Sequence, residues 1–213
     1  MKKYQIIYAD PPWHFSGGIR SSKKIDGKYQ YYTPDITVGD GKYKSIMKDD
    51  DILALPINTI TNENCVLFLW TTDAHLPLAL QVMKQWGLPY KTVGFVWNKK
   101  EKSGKQVCYY GKWTMKGTEL CLIGAKGKAN SLIVCRNVRG LVEAERRKHS
   151  QKPDEVRNRI VTLMGDLPRI ELFAREKTEG WDVWGNEVES DIDLKKLANL
   201  KRGSNEEVPD NIC

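Results

Sequence analysis

The sequence predicts a three-layer α/β domain, on three observations. Short apolar, β-branched runs recur along the chain with turn residues between them. Several of these runs are continuously apolar rather than alternating, as strands covered on both faces must be. Helical patterns stand between some of them, and strands alternating with helices pack as a sheet between helix layers.

The strands are expected over 5–9, 65–70, 92–97, 119–124, 131–135, 169–174 and 181–185. Asp73 is placed to cap a helix running to Trp86 and closed by Gly87, with Leu78, Val82, Met83 and Trp86 as its apolar stripe. Pro153 suits the first turn of a second helix that runs to Met164. Asp154 and Glu155 sit favourably at its positive end, and Gly165 follows it. A shorter helix over 48–55 stops at Pro56. The stretches 14–47 and 98–117 fit no element, and polar loops of that length are functional or disordered. From residue 190 the chain turns mixed-charge and weakly apolar. The domain is therefore expected over 1–189, with a flexible tail over 190–213 carrying one short helix at 194–200.

A chain of 213 residues, 40% apolar and 29% charged, has the composition of a soluble domain with its own core. Its longest apolar stretch, Cys65 to Trp70, falls far short of the ~20 residues that a bilayer span needs. Met1-Lys2-Lys3-Tyr4 resembles the start of a signal peptide, but the apolar run behind it ends at Asp10, too early. A cytoplasmic protein is expected. The five cysteines, at 65, 108, 121, 135 and 213, form no C-x-x-C pair and have no His at ligand spacing. They point to no metal site and no disulfide framework, and the four internal ones read as buried reduced thiols.

The most informative feature is the tetrad Asp10-Pro11-Pro12-Trp13, directly behind the first strand. The carboxyl end of a strand is where open α/β sheets place their ligands. Two prolines stiffen the turn and remove two backbone donors, leaving carbonyl acceptors beside the Asp10 carboxylate. This pattern suits transfer to an aromatic amine, whose lone pair is delocalised into its ring. Two fixed acceptors at its hydrogens draw the nitrogen toward a tetrahedral shape and free the pair. The base must leave its stack to reach them, and the Trp13 ring is expected to replace the lost stacking. The mundane alternative is a Pro-Pro turn beside a core tryptophan.

With this tetrad the sequence resembles the adenine-amino methyltransferases typified by the catalytic subunit of the eukaryotic messenger-RNA adenosine methyltransferase, in its bacterial and phage branch. The likeness runs from about Ile6 to Glu187. It is carried in order by the tetrad, Leu67-Phe68-Leu69-Trp70-Thr71-Thr72, Phe95-Val96-Trp97-Asn98-Lys99, the run Leu120 to Gly127, Lys152-Pro153-Asp154-Glu155, Ile170-Glu171-Leu172-Phe173-Ala174-Arg175 and Trp184-Gly185-Asn186-Glu187.

The resemblance implies a Rossmann-like class I methyltransferase fold, mostly parallel, with a permuted motif order. It implies S-adenosylmethionine as donor, S-adenosylhomocysteine as product and no metal. Asp10, Pro11, Pro12 and Trp13 match the catalytic loop. Asp10, Lys152, Arg175, Asn186 and Glu187 match positions that touch the cofactor, and Lys152 is suited to its methionine carboxylate. Tyr43 matches a tyrosine of the active-site loop. There are departures. Only nine residues precede Asp10, so the cofactor-adenine contact that longer members make upstream is expected to come from elsewhere or to be absent. Lys177-Thr178 replaces the family's His-Asn pair.

The net charge is +7, and its distribution is uneven. The stretch 98–117 holds Lys99, Lys100, Lys102, Lys105, Lys112 and Lys116 against Glu101, with Tyr109, Tyr110 and Trp113 interleaved. Lysines for phosphates and rings for unstacked bases are a nucleic-acid footprint. A second cluster, Arg136, Arg139, Arg146, Arg147 and Lys148, is diluted by Glu143 and Glu145. Either stretch alone reads equally as a solvated loop; beside a base-modifying tetrad, contact is favoured. The expected partner is therefore nucleic acid, DNA before RNA, with a homodimer or heterodimer left open and no membrane. The expected activity is methylation of adenine N6 in DNA. The alternatives are the same reaction on RNA, or a non-catalytic partner subunit.

Overall fold

The computed structural model describes residues 2–13, 21–25, 28–32, 47–111, 113–147, 151–194 and 196–197, the segments 21–25 and 28–32 by backbone alone. Tyr43, Lys112, Lys148, Cys213 and most of the expected helix at 194–200 lie outside the described residues.

The elements run in the order β1 (Tyr4–Ala9), β2 (Ser21–Ile25), β3 (Lys28–Tyr32), α1 (Asp49–Leu53), β4 (Thr61–Thr71), α2 (Leu76–Gln85), β5 (Tyr90–Lys100), β6 (Thr118–Lys126), β7 (Leu141–Glu145), α3 (Asp154–Met164), β8 (Arg169–Leu172) and β9 (Asp182–Trp184). Seven strands form one sheet in the order β7-β5-β6-β4-β1-β8-β9. Only β6 runs against the others, pairing antiparallel with both β4 and β5. The sheet is mostly parallel, as the sequence predicts, in the manner of a Rossmann-like methyltransferase fold.

The continuous apolar runs have their cause in this sheet. Ile7, Ala9, Leu67, Leu69 and Leu122 point into one core, packed with Val82, Met83 and Trp86 of α2 and its end. Their neighbours Ile6, Tyr8, Val66, Phe68, Trp70 and Cys121 point into a second core, with Val156, Ile160 and Met164 of α3. Successive side chains alternate faces, and both faces are covered. The indole N–H of Trp86 donates to the Ile52 carbonyl (3.0 Å) and ties α2 to α1.

Three expectations need correction. Residues 131–135 are not a strand: a 3-10 turn occupies Ala129–Leu132, and the amides of Val134 and Cys135 donate to the Leu163 carbonyl at 2.9 and 3.2 Å. That apolar run caps the last turn of α3, whose end carbonyls lack partners within the helix. The strand is instead β7, missed because only Val142 among its five residues is fully buried. Asp73 caps no helix: a 3-10 turn spans Asp73–His75, α2 starts at Leu76, and Asp73 pairs with Lys116 at 2.5 Å. Finally, Cys65 and Cys121 are buried, but Cys108 is exposed and Cys135 partly so.

The stretch 14–47 contains the hairpin β2–β3, for which no strand was expected. Past residue 190 the chain still packs on the core, with Leu194 fully buried. No helix among the described residues is long and apolar enough to cross a membrane.

Candidate active site

The site grows from the carboxyl end of β1, which pairs parallel with β4 on one side and β8 on the other. Asp10 follows the last paired residue, Ala9. The Trp13 amide donates back to the Pro11 carbonyl (2.9 Å), closing the tetrad into a tight turn. The Trp13 indole N–H donates to the Trp70 carbonyl at 3.0 Å. Its ring stacks on His75, with centroids 5.9 Å apart and planes 16° from parallel. His75 is itself held by a 2.8 Å hydrogen bond between its Nδ1 and Thr72 Oγ1. Trp13 is thus 8% exposed and anchors the loop from within. The expected open stacking face for a base is not what this conformation offers, because one face already lies on His75.

Four charged side chains meet beside the tetrad. Lys152, 7% exposed just before α3, places its ammonium 2.7 Å from Asp10 Oδ2 and 3.1 Å from Glu119 Oε2. Glu119 also accepts from Lys99. The order Asp10–Lys152–Glu119–Lys99 alternates sign, so two carboxylates and two ammonium groups neutralise one another, with Lys152 and Glu119 buried and Asp10 and Lys99 partly exposed. Lys152 also sits 5.5 Å above the Trp70 ring.

Burial pushes the Asp10 carboxyl above its usual range, and the Glu119 charge adds to this against the pull of Lys152 and Arg175. For Lys152 burial acts downward, but Asp10 and Glu119 outweigh it and hold the ammonium protonated. Burial likewise opposes ionisation of Glu119, yet Lys152 and Lys99 hold its carboxyl below the usual value. Glu119 is a site residue that the sequence reading missed. The available signal was a lone acid at the head of an otherwise apolar strand.

The α3 helix is fixed by Arg157, whose guanidinium bridges Asp154 (2.9 Å) and Glu171 (2.9 Å) on β8. This clamp holds the helix that Lys152 precedes against the strand next to β1.

The remaining cofactor candidates lie on two adjoining loops. Phe173 follows β8 with φ of 62°, a left-handed conformation rare for an aromatic residue, and its ring packs edge-on against Trp184 at 5.3 Å. The Ala174 amide donates to the Trp184 carbonyl at 3.0 Å. A Cβ at Gly185 would stand 2.0 Å from the Ala174 carbonyl oxygen, so only glycine permits this approach. Arg175 and Glu187 thereby come within 3.8 Å of each other. Arg175 follows the carboxyl end of β8, which pairs parallel with β1, so it lies at the same end of the sheet as the tetrad. Asn186 is exposed on the same loop.

Among the nucleic-acid candidates, Lys99 is a correction: its ammonium turns inward to Glu119 and over the Trp97 ring, so it belongs to the buried cluster. Lys100 pairs with Glu143 at 2.8 Å. Lys105, Tyr110 and Trp113 are exposed, and the Tyr109 hydroxyl accepts from Arg146 at 3.1 Å. In the second basic cluster Arg136 and Arg139 are exposed, while Arg147 pairs with Asp154.

A mostly parallel sheet with an acidic, diproline loop at the end of a central strand defines a Rossmann-like methyltransferase. The MT-A70 family model matches residues 4–187, and the chain belongs to that family. It is 38% identical over 189 residues to the type II methyltransferase M.MunI of Mycoplasma, covering 88% of this chain and 78% of that protein. It is 28% identical over 195 residues to the human N(6)-adenosine-methyltransferase catalytic subunit METTL3. A Drosophila N(6)-adenosine-methyltransferase MT-A70-like protein is 29% identical over 196 residues. The chain spans 28% and 27% of the length of these two eukaryotic relatives.

Proposed function

We propose that this protein methylates the 6-amino group of adenine in DNA, with S-adenosylmethionine as donor, within a catalytic domain over 1–189. The observation that carries this reading is the 2.7 Å pair of the part-buried Asp10 and the buried Lys152 at the mouth of a rigid Pro11-Pro12 turn. A carboxylate and an ammonium side by side complement the zwitterionic amino-acid end of that cofactor. Asn186 and Glu187, on the loop that Arg175 joins, supply polar groups of the kind a ribose takes. The donor set therefore fits the group. When bound, it supplies an electrophilic methyl on a sulfonium.

The chain's own residues do the rest. Lys152 pairs with the cofactor carboxylate, while Glu119 keeps its ammonium protonated and in place. Asp10 offers a carboxylate oxygen to one hydrogen of the adenine amine. The Pro11 carbonyl, which spends one lone pair on the Trp13 amide, offers the second to the other hydrogen. The amine nitrogen, drawn toward tetrahedral geometry, would take the methyl as the methyl–sulfur bond breaks, leaving the thioether S-adenosylhomocysteine, and would then lose a proton to solvent. Trp13, locked by Trp70 and His75, keeps both acceptors from moving as charge develops. Lys100, Lys105, Tyr109, Tyr110 and Trp113 are assigned to nucleic acid, as are Tyr43 and Lys112 beyond the described residues.

DNA is preferred because a relative matched over most of both chains bears the name type II methyltransferase rather than N(6)-adenosine-methyltransferase. The second reading, RNA, is favoured by the likeness to N(6)-adenosine-methyltransferases. Incorporation of labelled methyl into duplex DNA, single-stranded DNA and RNA decides between them. Preferred labelling of RNA overturns the choice of DNA. No binding of S-adenosylmethionine in calorimetry leaves only a non-catalytic partner.

A further inference from the structure

Among the described residues at the tetrad, Trp13 presents no open ring to a target adenine, being 8% exposed and stacked on His75. Extracting a base from a duplex carries a cost, least for a base already unpaired, and an aromatic ring stacked in its place offsets that cost. The most exposed rings among the described residues are Tyr110 at 91% and Trp113 at 90%. Both ride one small hairpin closed by the antiparallel pairing of Tyr109 with Lys116 (2.7 and 2.8 Å).

This hairpin is rooted in the site on both sides. On its outgoing leg, the Val107 amide donates to the Lys99 carbonyl at 2.9 Å. The Tyr109 ring then lies 5.9 Å from the Lys99 ammonium that Glu119 accepts. On its return leg, Lys116 pairs with Asp73, two residues from the His75 that stacks on Trp13. Arg146 braces it from β7 through Tyr109 and Glu101. Gly111 approaches Thr114 closely: a Cβ at Gly111 would lie 2.3 Å from the Thr114 carbonyl oxygen. A braced turn that exposes two large rings to water is built to present them. Beside the hairpin, Lys102 and Lys105 are exposed, and their charge suits a polyanion.

We infer that the Tyr110–Trp113 tip is a stacking wedge that enters the base stack of the nucleic acid as the target adenine leaves it. This rests on the methyltransferase reading above and adds a role in opening paired targets. The test presents one adenine, in one sequence, either fully paired or opposite an abasic site, to the wild-type protein and to Trp113→Ala. A Tyr110→Ala/Trp113→Ala double variant follows. Both residues are exposed, so unfolding midpoints and S-adenosylmethionine affinity stay at wild-type values.

The wedge predicts that Trp113→Ala loses about 10-fold or more of kcat/KM on the paired target. The loss on the unpaired target is less than about 3-fold, and the double variant widens the gap. Equal losses on both targets, or none, overturn the wedge while leaving the methyltransferase reading intact. A loss that instead follows the breakdown of a self-associated form assigns the rings to a second copy of the chain and overturns it too. A wild-type protein that methylates neither target sinks the reading underneath.

Discussion

Asp10 pairs with Lys152 inside the protein, and in the proposed mechanism it also faces the cofactor's amino-acid end and accepts from the substrate amine. Asp10→Ala is therefore expected to lower kcat by about 100-fold or more, the cost of removing one fixed group from a developing charge. Lys152 keeps Glu119 as partner, so circular dichroism and the unfolding midpoint should report a retained fold. Lys152→Met separates the cofactor from the chemistry. Calorimetry should show S-adenosylmethionine affinity weakened by about 10-fold or more, as expected for a lost charge-assisted contact. Unchanged affinity would remove Lys152 from the cofactor site. Both residues were legible in the sequence because each stands in a short run whose neighbours constrain it, Asp10 ahead of two prolines and Lys152 ahead of a helix-starting proline. Glu119 and the inward turn of Lys99 were not legible. Their partners lie on other strands, and only the sheet brings them together. A motif also names a ring without saying which of its faces is covered, which is why Trp13 was expected to be open.

At the scale of elements, the β8–α3 clamp has a pH signature. Burial, helped by the charges of Asp10, Glu176 and Asp154, outweighs Arg157 and pushes the Glu171 carboxyl from its usual 4.5 up to about 7. Between those values the folded protein holds a proton that the unfolded chain has released. The contribution of Glu171 to stability is thus full below pH 4.5 and is lost as pH rises through about 7. Thermal unfolding across that window should show the wild-type midpoint falling relative to Glu171→Gln. Parallel profiles for the two proteins would contradict it. The crossing of the loops after β8 and β9 is equally specific. Gly185→Ala drives a methyl into the Ala174 carbonyl, so it should destabilise the fold by about 1–3 kcal/mol, measured by denaturant unfolding. It should also weaken cofactor binding by spreading Arg175 from Glu187. Strands buried on both faces were the easiest elements to read, because their apolar runs are unbroken. β7 was missed for the opposite reason, and the apolar run at 131–135 misled because a helix end, not a sheet, uses its amides.

Across the whole molecule, the fold gathers residues 10, 99, 119, 152 and 175 at one end of a sheet whose two cores lie on opposite faces. The class of fold was legible from alternation and apolarity. The charge map was legible only in part: Lys99, Lys100 and Lys116 are spent on Glu119, Glu143 and Asp73. Composition counts charges but not their partners. Nucleoside analysis of duplex DNA incubated with the protein and methyl-labelled S-adenosylmethionine tests the central claim most directly. Label in N6-methyladenine is expected with the wild-type protein, and labelling slowed by about 100-fold or more with Asp10→Ala. Label confined to another base, or undiminished labelling by Asp10→Ala, would contradict it.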